Sequence, residues 1–303
     1  MNTVFMFSGQ GAQYPSMGRE LYEHNSAARA VFDMAESIRP GTVEQCFSGS
    51  DEILQMTENT QPCVYCVDLA AAEALREAMI VPDMLAGFSL GEVAALAFSG
   101  AVTYEDGFKL VCKRAKFMQE ASEMVDAAMV AVLKLSDDMV IDLCGEFSKV
   151  YPVNFNCPGQ IVVAGESSEL AAFVNRVKDA GGRSIKLKTS GGFHSPFMDE
   201  ASIAFAQELE KADILSPKTI LYSNTTGRPY DGNTKELLAK QICSPVRWES
   251  SIRHMLENHV DTFIEVGPGK TLCGLVQKIA DNVEILNVED IKSLEETLKA
   301  LRR

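Results

Sequence analysis

The stretch Met84-Leu-Ala-Gly-Phe-Ser-Leu-Gly-Glu-Val-Ala-Ala-Leu96 constrains this chain more than any other. Met84 to Ala86 is an apolar run of strand length. Gly87-Phe88-Ser89-Leu90-Gly91 follows, and a helical pattern opens at once on Glu92 and Ala94-Ala95-Leu96. G-x-S-x-G between a strand and a helix is the arrangement of a nucleophile elbow, in which a serine is held on a sharp turn with its hydroxyl exposed. Such a turn needs neighbours without Cβ, so that strand and helix can pack closely. The free N–H groups and positive end of the following helix favour negative charge developing beside the serine. Alone, the pentapeptide reads more simply as a Gly/Ser turn between core elements; the strand–helix context argues for the elbow, and the rest of the chain must decide.

Val4 to Phe7 reads as a strand, and residues 8–18 as a glycine-punctuated loop before a helix near 19–36. Gly9-Gln10-Gly11 invites a phosphate-loop reading. Tyr14, however, occupies the sixth position of G-x-G-x-x-G, and no Gly-Lys-Ser/Thr follows, which excludes dinucleotide and Walker-type sites. Residues 60–79 form an apolar helix with Pro62 in its first turn, where proline is tolerated. Residues 103–123 form another, with Leu110, Val111, Phe117 and Met118 at core spacing and Lys109, Lys113, Arg114 and Lys116 as its basic set.

Residues 125–190 change character. A strand at 128–135 leads to a helix capped by Ser136 and running to about Phe147. Strands at 152–155 and 161–164 flank the turn Asn156-Cys-Pro-Gly-Gln160, and a helix at 167–180 precedes a strand at 183–188. This β-α-β-β-α-β order is the ferredoxin-like split motif. Beyond it, strands at 218–223, 262–266 and 285–288 alternate with helices at 201–212, 235–242, 250–257, 270–280 and 289–303. Alternation of this kind implies a parallel sheet covered by helices on both faces. The expected class is α/β: a large parallel-sheet domain over 1–124 and 195–303, with a small ferredoxin-like domain, 125–194, inserted into it.

Twenty-eight basic and 42 acidic side chains give a net charge of −14, so neither nucleic acid nor a membrane surface is expected as a partner. No apolar run approaches the ~18 residues needed to span a bilayer. Val4-Phe-Met-Phe7 is too short for a secretory signal and lacks a basic flank. A cytoplasmic setting and reduced cysteines are therefore expected. Cys63-Val-Tyr-Cys66 has no second pair and no histidine at ligand spacing; it reads as helix core, and no metal is expected.

A serine nucleophile at neutral pH needs a base. His24, His254 and His259 stand in polar helix or helix-end surroundings and read as surface residues. His194 lies in Thr189-Ser-Gly-Gly-Phe-His-Ser-Pro-Phe197, a Gly/Ser loop after the last small-domain strand, and loops on rigid scaffolds commonly carry catalysis. By itself such a histidine reads as structural; beside an elbow serine it becomes the candidate base. No carboxylate to orient it is apparent, since Asp199 and Glu200 belong to the next helix. A backbone carbonyl or an amide could serve instead.

Seven motifs occur in order: Phe7-Ser-Gly-Gln-Gly-Ala-Gln13, Gly87-Phe-Ser-Leu-Gly-Glu92, Arg114-Ala-Lys-Phe-Met-Gln119, Val153-Asn-Phe-Asn-Cys-Pro-Gly-Gln160, Gly191-Gly-Phe-His-Ser-Pro196, Pro245-Val-Arg-Trp248 and Glu265-Val-Gly-Pro-Gly269. Together they resemble the malonyl-CoA:acyl carrier protein transacylase family and the related acyltransferase domains of fatty-acid and polyketide synthases, across essentially the whole chain. The resemblance implies an α/β-hydrolase-like parallel-sheet domain with an inserted ferredoxin-like domain. It implies Ser89 as the nucleophile that becomes malonylated and His194 as general base. Arg114 would bind the malonyl carboxylate, a role for which a rigid guanidinium fork is suited. The backbone N–H groups of Gln10 and Leu90 would form the oxyanion hole. The Gln241 carbonyl would hold the histidine ring, and Asn156 would lie close to the pocket.

Two positions depart from the family pattern. Phe88 stands where the family usually has histidine, and Ser8 where it commonly has proline. In the synthase acyltransferases, phenylalanine directly before the catalytic histidine accompanies malonyl selectivity, so Phe193 looks like a malonyl determinant. The resemblance further implies a cofactor-free monomer that uses malonyl-CoA and a transient acyl carrier protein partner and supplies fatty-acid elongation. The alternatives are a stand-alone acyltransferase of a polyketide synthase, a serine thioesterase or hydrolase, and a non-catalytic carrier-binding subunit. An acidic carrier meeting a chain at −14 needs a local basic face. Lys109, Lys113 and Lys116, with Arg183, Lys186 and Lys188, are the candidates.

Overall fold

Short apolar runs flanked by helices become central strands here because both faces are covered: every residue of β1 (Thr3–Phe7) and of β9 (Thr262–Val266) is buried. The computed structural model describes residues 2–189 and 191–302. Ser190 of the candidate histidine loop lies outside the described residues, as do Met1 and Arg303. The remaining strands are β2 (Met84–Gly87), β3 (Ala127–Leu133), β4 (Val150–Cys157), β5 (Gln160–Glu166), β6 (Arg183–Lys186), β7 (Ile220–Ser223), β8 (Arg228–Pro229) and β10 (Glu284–Val288).

The larger sheet has the order β10-β9-β1-β2-β7-β8. Its first five strands are mutually parallel, and the two-residue β8 pairs antiparallel with β7. Phe7 is in register with Gly87 and with Val266, so the loops after β1, β2 and β9 leave the sheet at the same end. In open α/β sheets that carboxyl end is where ligands bind. The helix Leu90–Phe98 is buried along its whole length and packs against β1 and β2 and against helices Thr57–Glu77 and Tyr104–Met124.

The second sheet, β4-β5-β3-β6, is antiparallel throughout and carries helices Asp137–Gly145 and Ser167–Asp179, the split motif expected from the sequence. Strand periodicity divides its residues. Ala128, Val130 and Val132 pack into the sheet's own helix-side core, while Met129 and Ala131 face the main core. A stitch joins this sheet to the rest of the chain: Asn154 of β4 bridges Val246, and Val246 exchanges backbone hydrogen bonds with Val153 and Phe155 at 2.8 and 2.9 Å.

Three features differ from the sequence reading. The helix expected over 19–36 is two, Arg19–His24 and Ser26–Ile38, because Asn25 turns extended and its side chain accepts from the Ala28 N–H. Helices Thr42–Ser48 and Asp51–Gln55 fill a stretch with no clear periodicity. His254 is half-buried rather than superficial, with Nδ1 2.9 Å from the Tyr222 hydroxyl, whereas His24 and His259 are exposed. All eight cysteines are free thiols, and Cys63 and Cys66 lie in the core of helix Thr57–Glu77. Among the described residues no helix is long and apolar enough to cross a membrane.

Candidate active site

Ser89 stands between β2 and helix Leu90–Phe98 with φ 55° and ψ −107°, a conformation that L residues avoid. Its neighbours make the turn possible. A Cβ on Gly87 would overlap the backbone of Gly91 and Glu92, and one on Gly91 the backbone of Phe7 and Ser8. The Ser89 amide is fixed by donation to Asn224 Oδ1 at 2.7 Å, and Asn224 Nδ2 in turn donates to the Gly87 carbonyl at 2.6 Å.

The serine hydroxyl lies 2.8 Å from His194 Nε2. On the far side of the ring, Nδ1 lies 2.8 Å from the Gln241 carbonyl. A carbonyl can only accept, so the Nδ1–H tautomer is fixed and Nε2 is left as the acceptor facing Ser89. Burial, reinforced by the Arg114 charge, pushes the imidazole down to about 4, so it is neutral at pH 7. His194 also has a positive φ of 61° and is tied through its amide to the Ile242 carbonyl at 3.1 Å.

Helical spacing groups Arg114 with Lys109, Lys113 and Lys116, but the structure separates it from them: it is 0% exposed while the lysines face solvent. Its Nη1 donates to Gln61 Oε1 at 2.7 Å; its Nη2 donates to Gln241 Oε1 at 2.7 Å and to Ser89 Oγ at 3.1 Å. Three of the five guanidinium N–H groups are thus engaged, and the buried Nε has no acceptor. Burial pulls the guanidinium down to about 10, and it remains a cation at pH 7.

Gln241 therefore meets the site through its carbonyl and both side-chain polar atoms. Its carbonyl takes the His194 proton donor, its Oε1 takes Arg114, and its Nε2 donates to Glu92 Oε2 and to the Ser89 carbonyl, each at 2.8 Å. Gln61, Glu92 and Asn224 were not singled out from sequence. For Glu92 a signal existed: it is the one charged residue in an otherwise apolar helix. Asp199 and Glu200, the carboxylates weighed as partners for His194, open the helix Asp199–Lys211, and no contact joins them to the ring.

A cavity of about 510 Å³ adjoins the cluster. Its walls include Gln10 and Phe88, the sheet residues Asn154 and Asn156, and Lys188, but not Ser89, His194 or Arg114. Asn154 and Asn156 both bring a buried Oδ1 with no partner. Phe88 stacks at a tilt on Trp248, ring centroids 5.5 Å apart. The amides of Gln10 and Leu90 make no hydrogen bond to the described residues and remain available as donors. Phe193 lies in the main core, 5% exposed, and does not line the cavity. Of the basic candidates, Lys109 and Lys116 are ion-paired with Asp106 and Glu120, whereas Arg183, Lys186 and Lys188 are exposed on or just after β6.

The acyl transferase domain family matches residues 4–297. The malonyl CoA-acyl carrier protein transacylase of Bacillus subtilis strain 168 is 36% identical over 307 residues, covering 99% of this chain and 97% of its own. A solved malonyl CoA-acyl carrier protein transacylase from Clostridium perfringens superposes with a TM-score of 0.95 at 41% identity, covering 100% of this chain and 98% of its own. A malonyl-transacylase solved in complex with its type II PKS acyl-carrier protein superposes with a TM-score of 0.95 at 29% identity, covering 99% of this chain and 100% of its own. Both sheets and the connections that form the serine site fall within these matches, and this chain belongs to the acyl transferase domain family.

Proposed function

We propose that this protein is a malonyl-CoA:acyl carrier protein transacylase, passing malonyl groups from CoA to a carrier's phosphopantetheine thiol and so supplying fatty-acid elongation. The observation that carries the reading is Arg114: a buried cation in contact with the nucleophile, with N–H groups unspent, suits an acyl group that ends in a carboxylate. The likeness to the Bacillus and Clostridium enzymes supports the same reaction, and the solved complex supports a carrier-protein partner.

His194 Nε2 takes the Ser89 proton as Oγ attacks the thioester carbonyl carbon. The amides of Gln10 and Leu90 receive the oxyanion. Collapse breaks the C–S bond, and the CoA sulfur leaves with the proton held on Nε2. The carrier thiol then gives its proton to His194, attacks the malonyl-Ser89 ester and departs as the new thioester while Oγ regains the proton. Only protons and an acyl group move, so the chemistry calls for no metal or redox cofactor. The Gln241 carbonyl holds the imidazole through both steps.

The unpaired Asn154 and Asn156 oxygens suit the amide N–H groups of a pantetheine arm reaching Ser89 through the cavity. Malonyl selectivity at Phe193 rests on the family pattern alone, because the ring is packed in the main core and does not line the cavity. The four-stranded sheet, within residues 125–194, acts as a small domain forming one wall of the cleft. Lys188 at the cavity wall, with the exposed Arg183 and Lys186 of β6, forms the face that meets an acidic carrier. Eight free thiols fit a cytoplasmic setting, and the protein is expected to act as a monomer.

Intact-mass measurement after mixing with malonyl-CoA, with acetyl-CoA as control, tests this reading. A malonyl adduct mapping to Ser89 and discharged by carrier protein is expected. No adduct, or one on another residue, would overturn the mechanism.

A further inference from the structure

Glu92 is fully buried on helix Leu90–Phe98, and a carboxylate there persists only if its oxygens are well supplied with donors. Oε2 accepts from the Asn224 backbone N–H at 3.1 Å and from Gln241 Nε2 at 2.8 Å, and Oε1 accepts from the Tyr230 hydroxyl. The same two partners grip the reacting pair with their other groups. Asn224 Oδ1 accepts the Ser89 N–H at 2.7 Å, and the Gln241 carbonyl accepts the His194 Nδ1–H at 2.8 Å.

We infer that Glu92 is a positioning residue of the acyl-transfer centre, holding Ser89 through Asn224, and His194 and Arg114 through Gln241, with Tyr230 completing its donor set. The inference rests on the Ser89–His194 chemistry proposed above.

Hydrogen-bond polarity makes the arrangement directional. Gln241 Oε1 faces a guanidinium, which can only donate. Its two Nε2 hydrogens face the Ser89 carbonyl and the Glu92 carboxylate, which can only accept. The charge of Glu92 thus fixes which way round the amide stands, and the same charge favours the cationic form of the buried Arg114. An amide at position 92 keeps the shape, and its oxygen in the place of Oε2 can still accept from Asn224 and Gln241, but it removes the charge that faces Arg114 and turns a donor toward the Tyr230 hydroxyl.

The carboxyl changes charge within the working range. Burial pushes it up to about 7, against the pull of Tyr230, Gln241, the Asn224 amide and the Arg114 charge. The titratable side chains facing it are Tyr230, from the segment after β8, and Arg114, from helix Tyr104–Met124; His194 lies beyond Gln241. Protonation of Glu92 on Oε1 does the same as the Glu92→Gln substitution: the charge facing Arg114 is lost and a donor meets the Tyr230 hydroxyl.

Rapid-quench measurement of malonyl-Ser89 formation from malonyl-CoA, between about pH 5 and about pH 8.5, tests the inference on wild type, Glu92→Gln and Tyr230→Phe. The wild-type rate is expected to fall below about pH 7 to a lower plateau. Glu92→Gln should lie on that plateau throughout, roughly 10- to 100-fold below wild type at high pH, with no inflection near neutrality and little change in KM. Tyr230→Phe removes a donor to the carboxylate and should move the inflection upward. Wild-type rates in Glu92→Gln, or slow rates with the wild-type inflection retained, would overturn the inference alone. Should Glu92→Gln fail to fold, an inflection unmoved in Tyr230→Phe overturns it. Absence of any Ser89 adduct in wild type would instead overturn the acyl-transfer reading, and this inference with it.

Discussion

Arg114 Nη2 lies 3.1 Å from Ser89 Oγ, so a fully buried cation touches the candidate nucleophile. A charge-assisted contact to a substrate carboxylate contributes about 1.5–3 kcal/mol, or roughly 10- to 100-fold in rate. Arg114→Ala is expected to lose malonyl loading by that factor or more while acetyl loading changes far less. Comparison of the two loading rates checks this, and equal losses would remove Arg114 from carboxylate recognition. Arg114→Lys should not rescue, since an ammonium cannot reproduce the fork that spans Gln61 and Gln241.

His194 and Glu92 make stability respond to pH in opposite senses. The folded imidazole is held at about 4, below its unfolded value of about 6.5, so its contribution is present above 6.5 and lost as pH falls toward 4. The folded Glu92 carboxyl is held at about 7, above its ordinary value, so its contribution is present at low pH and lost as pH rises through 7. Each amounts to about 3 kcal/mol at full extent, and in wild type the two largely offset between pH 4.5 and 6.5. Urea unfolding should therefore show Glu92→Gln losing stability on acidification across that window, and His194→Gln losing it on alkalinisation.

Gly91→Ala puts a methyl group into the backbone of Phe7 and Ser8. Neither can yield without breaking the β1–β2 pairing that aligns the loop after β1 with the elbow. We expect a loss of about 3 kcal/mol or more and a collapse of Ser89 loading, measured by thermal unfolding and by adduct mass.

Phe88 is a wall of the cavity and a packing partner of Trp248, not a proton carrier. Phe88→His should leave the loading rate within a few-fold of wild type and its pH profile unchanged. Phe88→Ala should weaken malonyl-CoA binding and lower stability by about 2 kcal/mol, as a half-buried aromatic is lost. A large gain in rate with Phe88→His would show that proton transfer here is incomplete without that ring.

Reversing charge at Arg183 and Lys186 should separate the two half-reactions. Loading from malonyl-CoA is expected to be unaltered, whereas KM for carrier protein rises and loses much of its salt dependence. Steady-state assays at two ionic strengths read both effects.

Much of this architecture was legible because it follows local rules. Met84–Gly87 and Thr262–Val266 are short apolar runs with turn residues after them, and the glycines at 87 and 91 announce a tight crossing. The break at Asn25 was missed because its side-chain cap competes with an unbroken helical pattern. Arg114 shows why the site was harder. Its spacing matches that of neighbouring lysines, and only the partners on three other segments, Gln61, Gln241 and Ser89, decide that it is buried. Gln61 and Asn224 are ordinary polar residues in sequence, and their importance arises from pairings 53 and 135 positions away.

The Val246 stitch gives the cleft a mechanical property. Four residues lie between it and Gln241, whose carbonyl holds the His194 ring, and β4, to which it is sewn, carries Asn154 and Asn156 on the cavity wall. Any excursion of that wall pulls on the same strip of backbone that sets the imidazole. Under the proposed function, the wall that would admit a pantetheine arm and the carbonyl that sets the imidazole are joined by one short backbone strip, and a loosened hinge at 242–246 would let the door swing without setting the latch.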